Sequence, residues 1–298
     1  MWVVLAFMSA FLLGCYEVSK KKALNQNAVI PVLFFNTLIS SLILTPFVLL
    51  SYSSSLLDET MFYVPHVSLE THIAVLIKAV IVLSSWLFGY FAIKHLPLTI
   101  TGPIKATQPV MTLLGALIIF GERLNLYQWI GVLLSIFSFY LLSSSGRKEG
   151  IDFSRDKWIF FMVLAALTGA MSGLYDKYLM QSLDVMTVQV WFNLYQCAIM
   201  LFILLLLWYP RRKKITKFHW HWGIVFISLF LVAADWIYFY ALSFPDSMIS
   251  VVSMIRRSNV LVTFVVGAVF FHEKNLKSKA LDLMLVLIGM IFLYLGTK

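Results

Sequence analysis

Apolar runs close to twenty residues long alternate with short polar joints along the whole chain. A helix needs about 20 apolar residues to cross the hydrocarbon of a bilayer. The pattern predicts ten such helices: Trp2 to Ser19, Val29 to Leu50, Ile73 to Ile93, Leu98 to Phe120, Leu126 to Leu142, Trp158 to Leu179, Thr187 to Trp208, Trp222 to Leu242, Met248 to Phe271 and Leu276 to Leu295. Turn residues such as Gly150 and Pro210 sit in the joints, whereas the strands of a transmembrane barrel would need them about every ten residues.

Polar residues inside the apolar runs recur in order. Thr101, Lys105, Gln108 and Thr112 follow helical three-and-four spacing and share one face of the fourth helix. Arg256, Asn259 and Thr263 repeat the last three of them on the ninth at a constant offset of 151. Ala10, Gly14, Tyr16 and Glu17 return as Gly169, Gly173, Tyr175 and Asp176 at an offset of 159. Phe35-Asn36 returns as Phe192-Asn193 at 157, and Trp86 with Tyr90 as Trp236 with Tyr240 at 150. Matches in one order, with drift confined to the joints, predict an internal duplication. Residues 1–145 form the first five-helix repeat, 146–157 a cytoplasmic linker and 158–298 the second repeat. Five is odd, so the second copy enters the membrane from the opposite side. The expected fold class is an all-α integral membrane protein of ten transmembrane helices in two inverted five-helix repeats. Such a repeat implies a pseudo-two-fold axis in the membrane plane and a midplane site, here between helices 3, 4, 8 and 9, open alternately to either face.

Composition and charge agree with that picture and orient it. The 298 residues are 61% hydrophobic and 12% charged, which excludes an ordinary soluble domain. The longest joints, 51–71 and 143–157, are too short to fold as soluble modules. A net charge of +9 would suggest nucleic acid in a soluble protein, but 16 Lys and Arg lie in the joints after helices 1, 3, 5, 7 and 9, against two in the opposite joints and termini. The positive-inside rule makes the basic joints cytoplasmic and puts both termini outside a multi-pass cell membrane. The partners expected are the lipid bilayer and a small-molecule metabolite, with no nucleic acid and a monomeric or homodimeric state. Cys15 and Cys197 read as small core residues. The six histidines are scattered, and no phosphate-binding loop, His-Glu-x-x-His pair or serine-histidine constellation occurs. No cofactor, metal or enzymatic activity is expected.

An ionisable group at mid-membrane costs roughly 2.5 to 3.5 kcal/mol and survives by facing a cavity or a partner. Lys105 therefore has two readings, a substrate-binding cation or one member of an ion-pair network with Glu17, Asp176 and Asp235. Its matching position with Arg256 favours substrate binding. The expected lining is Thr101, Lys105, Gln108, Arg256, Arg257 and Asn259, with Tyr90 and Tyr240 as aromatic walls. Arg257 lies about 100° around the helix from Arg256, so one of the two can reach the cavity while the other pairs with an acid, Asp235 being the candidate. Converging guanidinium and ammonium groups suit an anion. Glu17, Asp176 and Asp235 serve as coupling groups or as ion-pair partners. Pro103 and Pro109 predict a kink beside Lys105, although helix 9 lacks matching prolines.

Leu98 to Leu142, with Gln108-Pro109, Gly115, Gly121-Glu-Arg123 and Gln128-Trp-Ile-Gly131, resembles the drug/metabolite transporter superfamily, and the likeness runs over the chain as two EamA-type repeats. Arg256-Arg-Ser-Asn259, Gly267 and Glu273-Lys274 resemble the corresponding run of the second repeat. The resemblance implies a ten-helix secondary carrier. The triose-phosphate branch holds phosphate with a lysine on helix 4 and a basic pair on helix 9, and Lys105 with Arg256-Arg257 stands similarly. Other members carry amino acids, sugars or nucleotide sugars, and many are drawn with cytoplasmic termini, the reverse of what the lysines indicate here.

The expectation is thus a secondary transporter, working by alternating access, of a small polar metabolite with an anionic group. The alternatives are an exporter of amino acids or other zwitterions, an intramembrane enzyme acting on lipid-linked substrates, and a sensor or scaffold.

Overall fold

The computed structural model describes residues 2–108, 110–111, 125–147, 153, 155–180, 182–244, 252, 255–256, 258–270 and 276–296. Ten α-helical elements lie among them: α1 (Trp2–Leu24), α2 (Val29–Ser53), α3 (Leu69–His95), α4 (Leu98–Ala106), α5 (Leu126–Arg147), α6 (Lys157–Met180), α7 (Val185–Ile203), α8 (Gly223–Leu242), α9 (Asn259–Phe270) and α10 (Leu276–Leu295). α7 runs on through a π turn, Leu204–Trp208, and a 3-10 turn, Tyr209–Arg211. No strand occurs among the described residues. Among the described residues, six helices are long and apolar enough to cross a membrane: α1, α2, α3, α6, α7 with its extension, and α8.

Several helices start or stop where the hydrophobic pattern does not, α3 and α1 among them. α3 begins four residues before the expected Ile73, because the Ser68 side chain accepts from the Thr71 N–H and Glu70 meets the positive end of the helix. α1 continues past Ser19 through three lysines, of which Lys20 is buried. The Lys21 Nζ donates to the carbonyls of Ile93 (2.7 Å) and Leu96 (2.6 Å) at the end of α3. A basic run expected in a cytoplasmic joint is therefore partly inside the fold.

Polarity is arranged as a bilayer demands. On α1, Val4, Phe7, Met8 and Phe11 point outward, while Ser9, Ala10, Gly14, Tyr16, Glu17 and Lys20 are buried. Hydrocarbon outside cannot solvate a polar group, so such groups turn inward and find partners.

The main helix pairs run antiparallel. On α1 and α8, Ser9 donates to the Ala234 carbonyl at 2.7 Å, while Ala23 lies against Gly223. On α3 and α6, Lys78 meets Asp176, Ser85 donates to the Ala165 carbonyl at 2.7 Å, and His95 stacks on Trp158. On α5 and α10, Asn125 reaches Gly296 and Ser138 reaches Asp282. On α2 and α7, Val32 and Leu33 cluster with Met200, Leu44 clusters with Met186 and Val190, and Ser41 donates to the Asn193 carbonyl between them.

The pairing itself is repeated. α1 packs on α8 and α3 on α6; α2 meets α7, α4 meets α9 and α5 meets α10; α1 also meets α9 as α6 meets α4, and α2 meets α8 as α3 meets α7. Exchanging each element of the first half with the one five places later returns this same set.

Candidate functional site

The fourth and ninth helices are interrupted at equivalent residues. α4 ends at Ala106, where the Thr107 hydroxyl and N–H both bond to the Ile104 carbonyl (2.7 and 3.2 Å), and the Val110 N–H bonds to the Thr107 carbonyl (3.0 Å). Before α9, the Ser258 hydroxyl and N–H bond to the Ile255 carbonyl (2.6 and 2.9 Å), and the Leu261 N–H bonds to the Ser258 carbonyl (2.9 Å). Thr107 and Ser258 are separated by the 151-residue offset. The break thus repeats without matching prolines: a hydroxyl side chain caps the preceding turn in both halves. Lys105 and Gln108 flank the first break, Arg256 and Asn259 the second.

Glu17 organises the first cluster. Its carboxylate accepts from Lys105 at 2.5 Å and from Lys20, one turn along α1, at 2.7 Å. Lys105 remains 24% exposed, whereas Lys20 is 2% exposed and lies over the rings of Tyr16 (4.4 Å) and Tyr90 (4.8 Å). The two phenol oxygens are 3.4 Å apart, and Asn36 donates to the Tyr90 oxygen at 3.2 Å. Ser228 on α8 closes the chain by donating to the Asn36 side chain at 3.1 Å. Two cations face one carboxylate here, and ring faces take up part of the excess charge.

The second cluster pairs Arg256 with Asp235, the guanidinium lying 4.1 Å from the Tyr238 ring. The Arg256 Nε–H is buried and has no partner among the described residues. Ser9, opposite Ala234, stands eight residues before Glu17, about 12 Å of helical rise, so the Asp235 pair lies well along the α1/α8 contact from the Glu17 cluster. Asp176 is paired with Lys78 of α3, which also faces the rings of Phe192 and Phe239. Each acid among the expected candidates therefore holds its own cation or cations.

The remaining expected residues fall around these clusters. Thr101 is buried and bonds within α4, next to Gly102, whose absent side chain lets Val260 and Thr263 of α9 approach. Gln108 is buried against Gly169 of α6. Asn259 and Thr263 are buried on α9, and the Thr263 hydroxyl donates to the Val260 carbonyl. Tyr240 lies apart from Tyr90. It stacks on Trp236 at 5.4 Å and lines a cavity of about 460 Å³ with Asp58, Tyr63, Asp184 and Met186. Arg257, Thr112, Pro109, Glu122 and Glu273 lie outside the described residues.

Two lysines were not singled out by the sequence reading. Lys78 sits inside an apolar run and could have been found on that ground alone; Lys20 is three residues after Glu17, the spacing of a helical ion pair. Among the described residues, no group of three or more His, Cys, Asp or Glu could hold a metal ion.

The chain matches the EamA-like transporter family twice, over residues 1–144 and 156–295. An uncharacterized transporter of Archaeoglobus fulgidus is 23% identical over 200 residues, which cover 67% of this chain and 66% of that protein. The chain thus aligns with just under two thirds of that relative's length. A crystal structure at 12% identity superimposes with a TM-score of 0.64, covering 99% of this chain and 97% of the other, a likeness of fold.

Proposed function

The chain belongs to the EamA-like transporter family, and we propose that it is a secondary transporter in which two inverted repeats of five membrane-crossing helices alternate access to one site for a small polar metabolite carrying an anionic group. The family and the Archaeoglobus relative point to transport rather than catalysis. The antiparallel pairing of α2 with α7 and of α5 with α10 supports the inversion, since equivalent elements then point opposite ways. Helix breaks at the repeat interface are where such carriers build their sites.

The observation that carries the anionic reading is the pair of lysines on Glu17 beside the α4 break. A carboxylate, phosphate or sulfate approaching Lys105 would complete the balance of two positive charges that one glutamate leaves unfinished, and a buried charge without a full complement is costly. Arg256 supplies a further N–H not used by Asp235. A second reading, a zwitterion, draws on the 460 Å³ cavity instead of the lysine cluster: Asp58 and Asp184 with Tyr63, Trp236 and Tyr240 suit its ammonium group. We further propose that both termini face outward, following the placement of basic residues.

The test is thermal stabilisation of the purified protein by phosphorylated, carboxylated and zwitterionic metabolites, since a ligand raises stability by its preference for the folded state. Stabilisation by anions that disappears in Lys105→Gln is the expected result. Stabilisation that survives the substitution returns Lys105 to a structural role, and a response to zwitterions alone selects the second reading.

A further inference from the structure

The helices α2 and α7 meet along a polar seam. Asn36, Thr37, Ser40 and Ser41 of α2 and Thr187, Gln189, Asn193 and Gln196 of α7 are all buried, and Gln189 and Gln196 are each 0% exposed. Asn193 and Ser41 are bonded. By contrast, both carboxamide atoms of Gln189 and of Gln196, with the Ser40 and Thr187 hydroxyls, have no hydrogen-bond partner among the described residues. An unsatisfied buried polar group destabilises the fold, and more so where hydrocarbon surrounds the protein. Leucine would fill the same volume at no such cost.

The seam is also placed between the two features already described. Met186 lines the aspartate-aromatic cavity, and Gln189, Asn193 and Gln196 continue its stripe along α7 at three- and four-residue spacing. The carboxamides are thus about 10 Å apart along the helix. The antiparallel pairing sets Asn193 against Ser41, so Gln196 stands level with the Thr37–Ser40 turn, one turn from the Asn36 that bonds to Tyr90 of the lysine cluster.

Both helices are irregular at equivalent places. Pro46 interrupts hydrogen bonding inside α2, and the 157-residue offset of this pair carries it to Ile203, where the π turn of α7 begins. Proline and π turns are where helices bend. One such point lies toward each end of the seam.

We propose that the α2/α7 seam is the uncharged half of the substrate site, where the Gln189 and Gln196 carboxamides and the Ser40 hydroxyl receive hydroxyl or amide groups of the cargo when the two helices part. A carboxamide offers one acceptor and two donors, which suits a group bearing several hydroxyls. This rests on the transport reading above, and the experiment separates the two.

Gln189→Leu and Gln196→Leu are each melted alone, with inorganic phosphate and with ribose 5-phosphate. The expected result is a rise in melting temperature of about 2–4 °C for each variant. The shift given by ribose 5-phosphate then falls to that of inorganic phosphate, which is itself unchanged. Leucine variants that melt lower, or that keep the full ribose 5-phosphate shift, overturn the proposal. In parallel, Gln196→Cys in a Cys15→Ser/Cys197→Ser background is treated with a small water-soluble thiol reagent, with Val190→Cys as the buried apolar control. Labelling at least tenfold faster at position 196 supports parting of the seam; equal rates overturn it. Where neither anion shifts the wild type, the anionic reading fails and labelling alone decides the seam.

Discussion

α1 and α6 hold equivalent places in the two halves, yet their small-residue faces and carboxylates are used differently. Gly14 of α1 has Val262 of α9 pressed against it, so that a Cβ there would come within 2.5 Å of the valine; its equivalent Gly173 has nothing within 4 Å among the described residues. Glu17 holds two lysines, one from its own helix and one from α4, whereas Asp176 holds Lys78 from α3. The repeat therefore preserves the position of the acid and of the small residue but not the identity of what fills the space. Sequence symmetry specifies two similar docking faces, and packing in this state closes one of them more tightly than the other.

The contrast can be broken by substitution. Glu17→Gln strands two cations and should cost at least the upper end of the about 3–5 kcal/mol typical of breaking a buried pair, read as lost melting temperature in detergent. Asp176→Asn strands one cation and should fall at the lower end of that range; equal losses would erase the distinction between the carboxylates. Replacing Lys78 and Asp176 together with Met and Leu should recover most of that loss, because an apolar pair of similar volume avoids the desolvation penalty. Gly14→Ala should cost about 1–3 kcal/mol through overpacking against a β-branched neighbour. Gly173→Ala, with no described neighbour within 4 Å, should stabilise by about 0.5–1 kcal/mol through helix propensity. Lys105→Gln should have the smallest effect on stability, below about 1 kcal/mol, since it leaves Glu17 with Lys20 and removes a partly exposed cation.

The order and placement of the described helices were legible in the hydrophobic pattern, since lipid imposes a length and a polarity on a crossing segment, and six of them meet that length. Helix ends were less so. Ser68 capped α3 earlier than the apolar run began, and Lys20 extended α1 because a partner three residues back and two aromatic faces replaced the water a lysine usually seeks. The repeated stripe of Lys105 and Gln108 with Arg256 and Asn259 marked residues that flank the breaks without predicting a break, and the prolines predicted a kink beside Lys105 only; Ser258 makes the other break by capping, which depends on local conformation. The grouping of the expected residues was not legible. Tyr90 and Tyr240 match in sequence, but one is bonded to Tyr16 and Asn36 and the other lines the cavity of Asp58 and Asp184. Pairing between acids and cations on different helices depends on which helices touch, and a single sequence carries no direct record of that.

Lys20 and Lys21 belong to a basic run of the kind that sets the orientation of a nascent chain, yet in the folded protein one is enclosed on Glu17 and the other ties α1 to the last carbonyls of α3. On an α1 without neighbours both ammonium groups would lie in water; against α3 and α4 they serve as mortar. What steadies the basic end of α1 is therefore supplied by its neighbours in the fold, the carbonyls of Ile93 and Leu96 above all, and not by its own helix alone.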